Sequence, residues 1–339
     1  MQPIASFYLW TERCGFRQRS STERWNPVSF FSIKTWLQMS DTLDSVSDLL
    51  GQPCCPFLFG FKDAPDRGYR LTVEELSRSF NMIVQSNGIT LRYETSGPAP
   101  APAIIFSHSL GVNGEMWAPQ KQLLSDHFRV ICYDTRGHGS SSADVGPYSM
   151  ECLGKDVLGL MDFLSIDKAH FCGISMGGLV GQWLGIHAPQ RLYSLVLANT
   201  AAKIGTAESW NTRIAMVERE GLGAAVPGTL ERWFTPEFRE KHSEIVGSIA
   251  AMLRRTNAAG YLGCCAAIRD ADFRSSVQRI PVPVLAIAGK HDPVTSCADL
   301  RFLAESIPRG KYIEMDTAHL SSVEAAEEFT AALQAFFGK

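Results

Sequence analysis

From residue 82 onward, hydrophobic and polar residues follow patterns that predict regular secondary structure. Short apolar runs rich in β-branched residues, each followed by a polar or glycine-bearing loop, are typical of strands. Asn87-Gly88, between the first two runs, predicts a tight hairpin turn. The predicted strands are residues 82–86, 89–94, 103–107, 128–133, 169–174, 192–197, 282–288 and 311–315.

Apolar residues at three- and four-residue spacing predict helices over residues 150–164 and 324–337, the second being a closing amphipathic helix. Strands that alternate with helices indicate an α/β fold with a mostly parallel sheet covered on both faces. Residues 205–275 interrupt this alternation, favour helix and are rich in Trp, Arg and Ala. We therefore predict a core of residues 82–204 and 276–339 with residues 205–275 inserted as a helical unit.

Residues 1–81 lack this regularity. Their apolar residues come in clumps without a helical or alternating period, and only a helix within residues 71–80 is expected. The segment holds three of the seven tryptophans and none of the eight histidines of the chain. We interpret it as an N-terminal extension without a recognisable motif.

Composition narrows the class of protein. The 339 residues are 45% hydrophobic and 20% charged, as in soluble globular proteins. A net charge of −3 gives no basic footprint for nucleic acid or an anionic membrane, and the apolar runs are too short to span a bilayer. The nine cysteines show no disulfide-scaffold spacing, and the N-terminus has no signal-peptide run. We expect free thiols in the cytoplasm.

The most informative segment is Gly173-Ile174-Ser175-Met176-Gly177, which lies between a predicted strand and a predicted helix. G-x-S-x-G in this context is typical of a nucleophile elbow, where the serine sits on a sharp, strained turn. A Cβ at either flanking glycine would collide with neighbouring backbone. The following helix directs its positive end towards developing negative charge. Ser175 is therefore the predicted nucleophile.

A serine nucleophile needs a base, and the base needs an acid that orients it, in the chain order Ser, Asp or Glu, His. His319 follows the last predicted strand and Asp292 follows the one before, at the carboxyl ends where parallel sheets form their sites. We predict His319 as the base and Asp292 as the acid. Two competing acids are Asp299, expected in the next helix, and Asp316, which has little freedom to face His319. His291 is expected to be an exposed neighbour.

An oxyanion hole needs two backbone N–H groups directed at the carbonyl oxygen. We expect one from Met176, directly after the nucleophile, and the other from Leu110, in the loop after the strand of residues 103–107. His108, at the start of that loop, is interpreted as structural.

The other candidate motifs do not indicate a cofactor. Gly137-His138-Gly139 follows a strand, but Ser142 stands where a dinucleotide site needs its third glycine. We expect a tight turn there, stiffened by Asp134 and Arg136. The chain has no Walker motif, no H-E-x-x-H and no carboxylate cluster suited to a metal, so no cofactor or metal is expected.

With these residues in place, the sequence resembles the 3-oxoadipate enol-lactonases, a family of α/β-hydrolases. The resemblance runs from Met82 to the C-terminus, about three quarters of the chain. The elbow and the Tyr-Asp-x-Arg-Gly-His-Gly turn are shared by many hydrolases, whereas the stretches at 198–205 and 260–272 are more specific. One departure is Ser322, where the family usually has asparagine. The matching stretches are SHSLG at 107–111, YDTRGHGSS at 133–141, FCGISMGGLVGQWL at 171–184, LVLANTAAKIG at 195–205, RWFT at 232–235, GYLGCCAAIRDAD at 260–272 and AHLSSVE at 318–324.

The resemblance implies an α/β-hydrolase fold with residues 205–275 as a helical cap over the pocket. It also implies hydrolysis of 3-oxoadipate enol-lactone, in the β-ketoadipate pathway of aromatic breakdown, by a serine acyl-enzyme mechanism. The implied partner is this small lactone, with no nucleic acid and no membrane. Trp210, Arg213 and Trp233 are the cap residues expected near substrate, unless they merely pack the cap. Arg213 and Arg232 are the candidates for binding the substrate carboxylate.

Several alternatives stay open from the sequence. Another carboxyl-ester hydrolase or a cofactor-free perhydrolase uses the same fold, because function lies in the site and not in the fold. A binding protein without catalysis is a further alternative. Residues 1–81 precede Met82, the family's usual start, so they are either a start codon placed too early, which we expect, or an appended segment. The oligomeric state is not defined.

Overall fold

A single mixed sheet organises the part of the chain that the structure describes. The structure is a computed structural model, and it describes residues 82–338. The expected helix within residues 71–80 and the N-terminal extension lie outside these residues. The strands of the sheet are β1 Met82–Ser86, β2 Ile89–Ser96, β3 Ala103–Ser107, β4 Arg129–Tyr133, β5 Ala169–Ile174, β6 Leu192–Ala198, β7 Val284–Gly289 and β8 Gly310–Met315.

The sheet is mostly parallel, as predicted. Its strand order is β1-β2-β4-β3-β5-β6-β7-β8. Strands β1 and β2 form an antiparallel hairpin, β2 pairs antiparallel with β4, and the pairings from β4 to β8 are all parallel. The crossovers place the carboxyl ends of β3, β5, β6, β7 and β8 along one edge, which is where sites form in such sheets.

Both faces of the sheet are buried. Side chains of successive strand residues point to opposite faces, and β3 illustrates the result. Ile105 belongs to one hydrophobic cluster, whereas Ile104 and Phe106 belong to the other. All five residues of β3 are buried. This double burial explains why the central strands are continuous apolar runs.

The strand predictions differ from the structure by one or two residues, at the starts of β4, β7 and β8 and at the ends of β2, β6 and β7. β7 begins at Val284 instead of residue 282, because Pro281 and Pro283 have no N–H to donate to a neighbouring strand. The carbonyl of Pro283 still accepts a hydrogen bond from the Leu195 N–H, at 2.9 Å. β4 begins one residue later than predicted, at Arg129.

Helices cover the sheet, and the closing helix begins two residues later than predicted. The expected helix over residues 324–337 begins at Ala326, because Ala325 has a φ of −128° that is not helical. Glu324 instead ends a separate short helix, and its carboxylate is held by the Ala318 N–H and by Thr235. The core helices are α1 Ala118–Leu124, α2 Met150–Phe163, α3 Met176–His187, α9 Cys297–Ser306, α10 Ser321–Glu324 and α11 Ala326–Phe337.

The segment between β6 and β7 contains five α-helices among the described residues. Thr206 caps the first of them, since its side chain accepts from the Ser209 N–H. In the described residues no helix is long and apolar enough to cross a membrane. The five helices, which we call the cap helices, are α4 Ala207–Glu220, α5 Val226–Trp233, α6 Pro236–Lys241, α7 Ser243–Arg255 and α8 Ala258–Asp270.

Candidate active site

Ser175 occupies a strained turn between β5 and α3. Its φ is +56°, a backbone conformation that L-residues rarely adopt and that is concentrated at functional sites. The turn leaves no room for side chains at the flanking glycines. A Cβ on Gly173 would lie 2.1 Å from the Gly177 oxygen, and one on Gly177 would lie 2.2 Å from the Ser107 oxygen. The G-x-S-x-G pattern is thus explained by close backbone approach, as the sequence indicated.

His319 and Asp292 form a buried pair at the ends of the last two strands. Nδ1 of His319 lies 2.8 Å from Oδ2 of Asp292, and the two residues are 1% and 7% exposed. Burial by itself would raise the pKa of Asp292. The charge of His319 and the hydrogen bonds from His319, Thr295 and the Val294 N–H outweigh burial and hold that pKa below its ordinary value. The carboxylate therefore stays ionised beside the imidazole.

The other two candidate acids lie elsewhere. Asp299 belongs to the capping box of α9, where it accepts from the Ser296 N–H at 2.8 Å. Asp316 lies 2.8 Å from Nε2 of His291, and both side chains are exposed. The structure thus brings Asp292, and neither competitor, to His319.

Asn199 is a site residue that sequence reasoning missed. Its side-chain amide donates to Oδ2 of Asp292 at 3.1 Å and to the Ala318 oxygen at 3.0 Å. It therefore joins the acid to the loop that carries His319. Asn199 directly follows β6, so the rule that sites gather at the carboxyl ends of strands was a signal that could have found it.

Ser175 and His319 open into one cavity of about 440 Å³. Ser109 and Leu110 line the same cavity, which places the loop after β3 beside the nucleophile. Met176 is buried at the first position of α3. His319 makes no hydrogen bond to Ser175 Oγ within residues 82–338. Hydrogen bonds between a catalytic base and its nucleophile often form or tighten only in the complex with substrate.

The cap helices form the other wall of this cavity. All three cap residues expected near substrate, Trp210, Arg213 and Trp233, line it. Trp210 Nε1 donates to the Ile204 oxygen at 2.7 Å, and the Trp233 ring lies 6.2 Å from the His319 ring. Arg232, named from the sequence only as a carboxylate candidate, also lines the cavity. The sequence did not single out the remaining lining residues of the segment 205–275, which are Gly205, Ser209, Thr229, Tyr261 and Ile268.

Two arginines give the cap wall a positive charge. Nε of Arg213 donates to Tyr261 Oη at 2.9 Å, and its Nη2 donates to Thr229 Oγ1 at 2.7 Å. Burial and the neighbouring charge of Arg213 lower the pKa of Arg232. In residues 82–338 neither guanidinium is paired with a carboxylate. The wall thus holds two cations whose charge is not neutralised by an acid.

A second cavity, of about 450 Å³, lies at the opposite, amino-terminal edge of the strands. Arg129, Lys168 and His170 line it, but none of the predicted catalytic residues does. Residues 82–338 also contain no group of three or more His, Cys, Asp or Glu side chains suited to hold a metal ion.

Comparison with known proteins defines the class first. A family model described as the α/β hydrolase fold matches residues 102–326, a range that contains Ser175, Asp292 and His319. An esterase structure from Thermogutta terrifontis shares the fold, with a TM-score of 0.72 at 26% identity over 76% of this chain and 98% of that one. The class is therefore that of the α/β-hydrolases.

More similar proteins narrow the class. The chain is 47% identical to 3-oxoadipate enol-lactonase 2 of Acinetobacter baylyi, over 76% of this chain and 96% of that protein. It is 44% identical to 3-oxoadipate enol-lactonase 1 of the same organism, over 76% and 95%. The enol-lactonase structure from Burkholderia xenovorans superposes with a TM-score of 0.75 at 42% identity, over 76% of this chain and 100% of that one. The chain belongs to the 3-oxoadipate enol-lactonase family of α/β-hydrolases and is a carboxylic-ester hydrolase.

Proposed function

We propose that this protein hydrolyses 3-oxoadipate enol-lactone to 3-oxoadipate through an acyl-enzyme on Ser175. The observation that carries the proposal is one cavity with Ser175 and His319 on one wall and two arginines without acidic partners on the other. The similar proteins of Acinetobacter baylyi carry the name of this activity. His319, which can take the hydroxyl proton of Ser175, lines the cavity. Leu110, whose backbone N–H can stabilise an oxyanion, lines it as well.

In the first half-reaction, Ser175 Oγ attacks the lactone carbonyl carbon and Nε2 of His319 takes the hydroxyl proton. The Asp292 carboxylate orients the imidazole by accepting from Nδ1–H and stabilises the imidazolium that forms. Backbone N–H groups of Leu110 and Met176 hold the oxyanion. The tetrahedral intermediate collapses by breaking the ring C–O bond. The ring oxygen leaves as an enolate, a better leaving group than an alkoxide. The imidazolium of His319 gives its proton to this enolate, which becomes the ketone by tautomerisation, and His319 is neutral again.

In the second half-reaction, water attacks the acyl-enzyme and His319 takes the proton of that water. The bond between the acyl carbon and Ser175 Oγ breaks, and the serine oxygen regains its proton from the imidazolium. The product carries the new carboxylate. Each step uses only side chains, backbone N–H groups and water, so the proposed reaction requires no cofactor.

The cap helices select the enol-lactone over other esters. A lactone of this size offers little apolar area, so its single carboxylate must provide much of the specificity. Arginine suits this task because its planar guanidinium forms charge-assisted hydrogen bonds with a carboxylate. Arg213 is already hydrogen-bonded to Tyr261 and Thr229, whereas Arg232 makes no hydrogen bond within residues 82–338. We propose Arg232 as the main anchor, with residues 205–275 acting as the cap that carries it.

We also propose that the protein works in the cytoplasm. Six cysteines of the described residues are free thiols, and four of them, at positions 132, 172, 264 and 265, are buried. Free buried thiols are typical of proteins in a reducing compartment.

A direct assay tests the function. We expect kcat/KM for the enol-lactone to exceed that for p-nitrophenyl acetate by orders of magnitude, and peracid formation from acetate and hydrogen peroxide to be slow. A preference for neutral esters would favour a general esterase on the same fold, and rapid peracid formation would favour a perhydrolase. Absence of turnover with every substrate would contradict the proposal.

A further inference from the structure

Two peptide groups are expected to hold the oxyanion. The N–H of Leu110 belongs to the peptide whose carbonyl is that of Ser109, and the N–H of Met176 belongs to the peptide whose carbonyl is that of Ser175. Both peptides are trans. In a trans peptide the C=O and N–H point in opposite directions across a rigid plane. Whatever holds the carbonyl therefore also determines where the N–H points.

A histidine side chain holds the first carbonyl. Nδ1 of His108 lies 2.8 Å from the Ser109 oxygen, and Nε2 of His108 accepts from the Thr135 N–H at 2.9 Å. Because Nε2 is an acceptor, the single proton of the neutral ring is on Nδ1, which donates to the carbonyl. Burial lowers the pKa of His108 to about 4, which keeps the ring neutral.

A threonine hydroxyl helps to hold the second carbonyl, which also accepts from the N–H groups of Gly178 at 2.9 Å and Leu179 at 3.2 Å within α3. Oγ1 of Thr200 donates to the Ser175 oxygen at 2.8 Å, and Thr200 is fully buried. Its side chain packs directly on α3, since a Cβ on Gly178 would lie 2.6 Å from the Thr200 Cβ. Thr200 follows β6 by two residues. The hydroxyl thus reaches the elbow from the neighbouring strand and lies behind the Met176 N–H.

We propose that His108 and Thr200 are positioning residues of the oxyanion hole, each fixing from behind one of the two peptide planes that bind the developing negative charge. The two side chains come from different loops but perform the same task. A hydrogen bond to the carbonyl also polarises the peptide, so the opposite N–H becomes a stronger donor. This inference rests on the proposed function only in its assignment of Leu110 and Met176 as oxyanion donors.

The test compares two replacements of Thr200. Thr200→Val has nearly the same shape and removes only the hydroxyl, whereas Thr200→Ser keeps it. We expect Thr200→Val to lower kcat about tenfold with KM changed less than twofold, because the loss falls on the transition state. Thr200→Ser is expected to restore kcat to within about threefold of the parent enzyme. Both kcat and KM are measured with the enol-lactone and with p-nitrophenyl acetate.

A second readout separates positioning from folding. A short alkylboronic acid forms a tetrahedral adduct with the serine and places an oxygen in the oxyanion hole, whereas the product 3-oxoadipate is a ground-state ligand. In Thr200→Val we expect the Ki of the boronic acid to rise about tenfold and the Ki of 3-oxoadipate to stay unchanged. A fall in Tm with unchanged kcat and boronic acid affinity would mean that Thr200 is merely structural. Equal weakening of both ligands would also overturn the inference.

His108 provides an independent pair of variants. Asn places an amide donor near the position of Nδ1, whereas His108→Leu removes it, and both lose the acceptor for Thr135. We expect kcat of His108→Asn to exceed that of His108→Leu about tenfold, and equal values would overturn the role of this donor. Failure of the proposed function would be seen in a different variant. Normal turnover in Ser175→Ala would show that Ser175 is not the nucleophile, whereas normal turnover in Thr200→Val would contradict only the positioning role of Thr200.

Discussion

Replacement of Arg232 by Ala tests how the cap recognises substrate. The guanidinium lines the cavity, and in residues 82–338 it has no carboxylate partner, so its removal leaves no buried acid unpaired. The main expected effect is therefore the loss of one charged hydrogen bond to the substrate carboxylate. Such a bond contributes about 1.5–3 kcal/mol. Since about 1.4 kcal/mol corresponds to a factor of ten in an equilibrium constant, KM for the enol-lactone is expected to rise at least about tenfold.

The assay compares two substrates in the same variant. Hydrolysis of p-nitrophenyl acetate, which carries no carboxylate, is expected to change little. Arg232→Lys keeps the charge but loses the planar donor pair, so an intermediate KM is expected. Arg219 is a matched control, because it is an exposed arginine on cap helix α4 that pairs with Glu220.

Three outcomes would refute the reasoning about Arg232. Equal losses on both substrates would indicate a misfolded cap. An unchanged KM in Arg232→Ala, together with a raised KM in Arg213→Ala, would assign the anchor to Arg213. An unchanged KM in both variants would place recognition of the carboxylate elsewhere, for example on backbone N–H groups.

The remaining predictions concern the proposed triad, pH and the elbow. Asp292→Asn should lower kcat about 10⁴-fold, because it disturbs the orientation of the base and not the base itself. His319→Ala should lower kcat roughly 10⁶-fold. Steady-state kinetics that show an unchanged kcat in Asp292→Asn would contradict this assignment. Burial lowers the pKa of His108 to about 4 and that of His138 to about 3, from 6.5. Both rings take up protons on unfolding below pH 6.5, so the free energy of unfolding should be greatest above pH 6.5 and fall towards pH 4. The fall should be up to about 1.4 kcal/mol per pH unit for each histidine. Urea denaturation that shows the same free energy of unfolding at pH 7 and pH 5 would contradict this prediction. Gly177→Ala should destabilise the protein by about 2 kcal/mol or more, because its Cβ would lie 2.2 Å from a backbone oxygen, and an unchanged Tm would show that the elbow can relax.

The sequence predicted the parts of the site that follow from local rules. Ser175 was recognisable from its glycines and from its place between a strand and a helix. Asp292 and His319 were recognisable because each follows a predicted strand, and parallel strands bring such loops together. The structure places these two side chains 2.8 Å apart. Their catalytic roles remain a prediction that kinetics must test.

Contacts between distant segments could not be predicted from the sequence patterns. His138 was interpreted as part of a tight turn, yet its Nε2 accepts from the Gly111 N–H at 2.9 Å and so ties that turn to the loop that carries Leu110. Glu324 was expected to begin the closing helix, because its spacing fits one. Its carboxylate instead joins the Ala318 N–H to Thr235 of the cap, and Glu324 ends the short helix that precedes the closing one. Neither contact leaves a periodic signal in the residues that make it.

The central claim is that lactone hydrolysis proceeds through a covalent intermediate on Ser175. Its most direct test is rapid mixing with the enol-lactone, an acid quench, and mass spectrometry of the peptide that contains Ser175. We expect an adduct with the added mass of the lactone, formed within the first turnover. In Ser175→Ala we expect no adduct and turnover lowered by about 10⁴ or more. Near-normal turnover in that variant, or turnover by the parent enzyme through an adduct on another residue, would contradict the account.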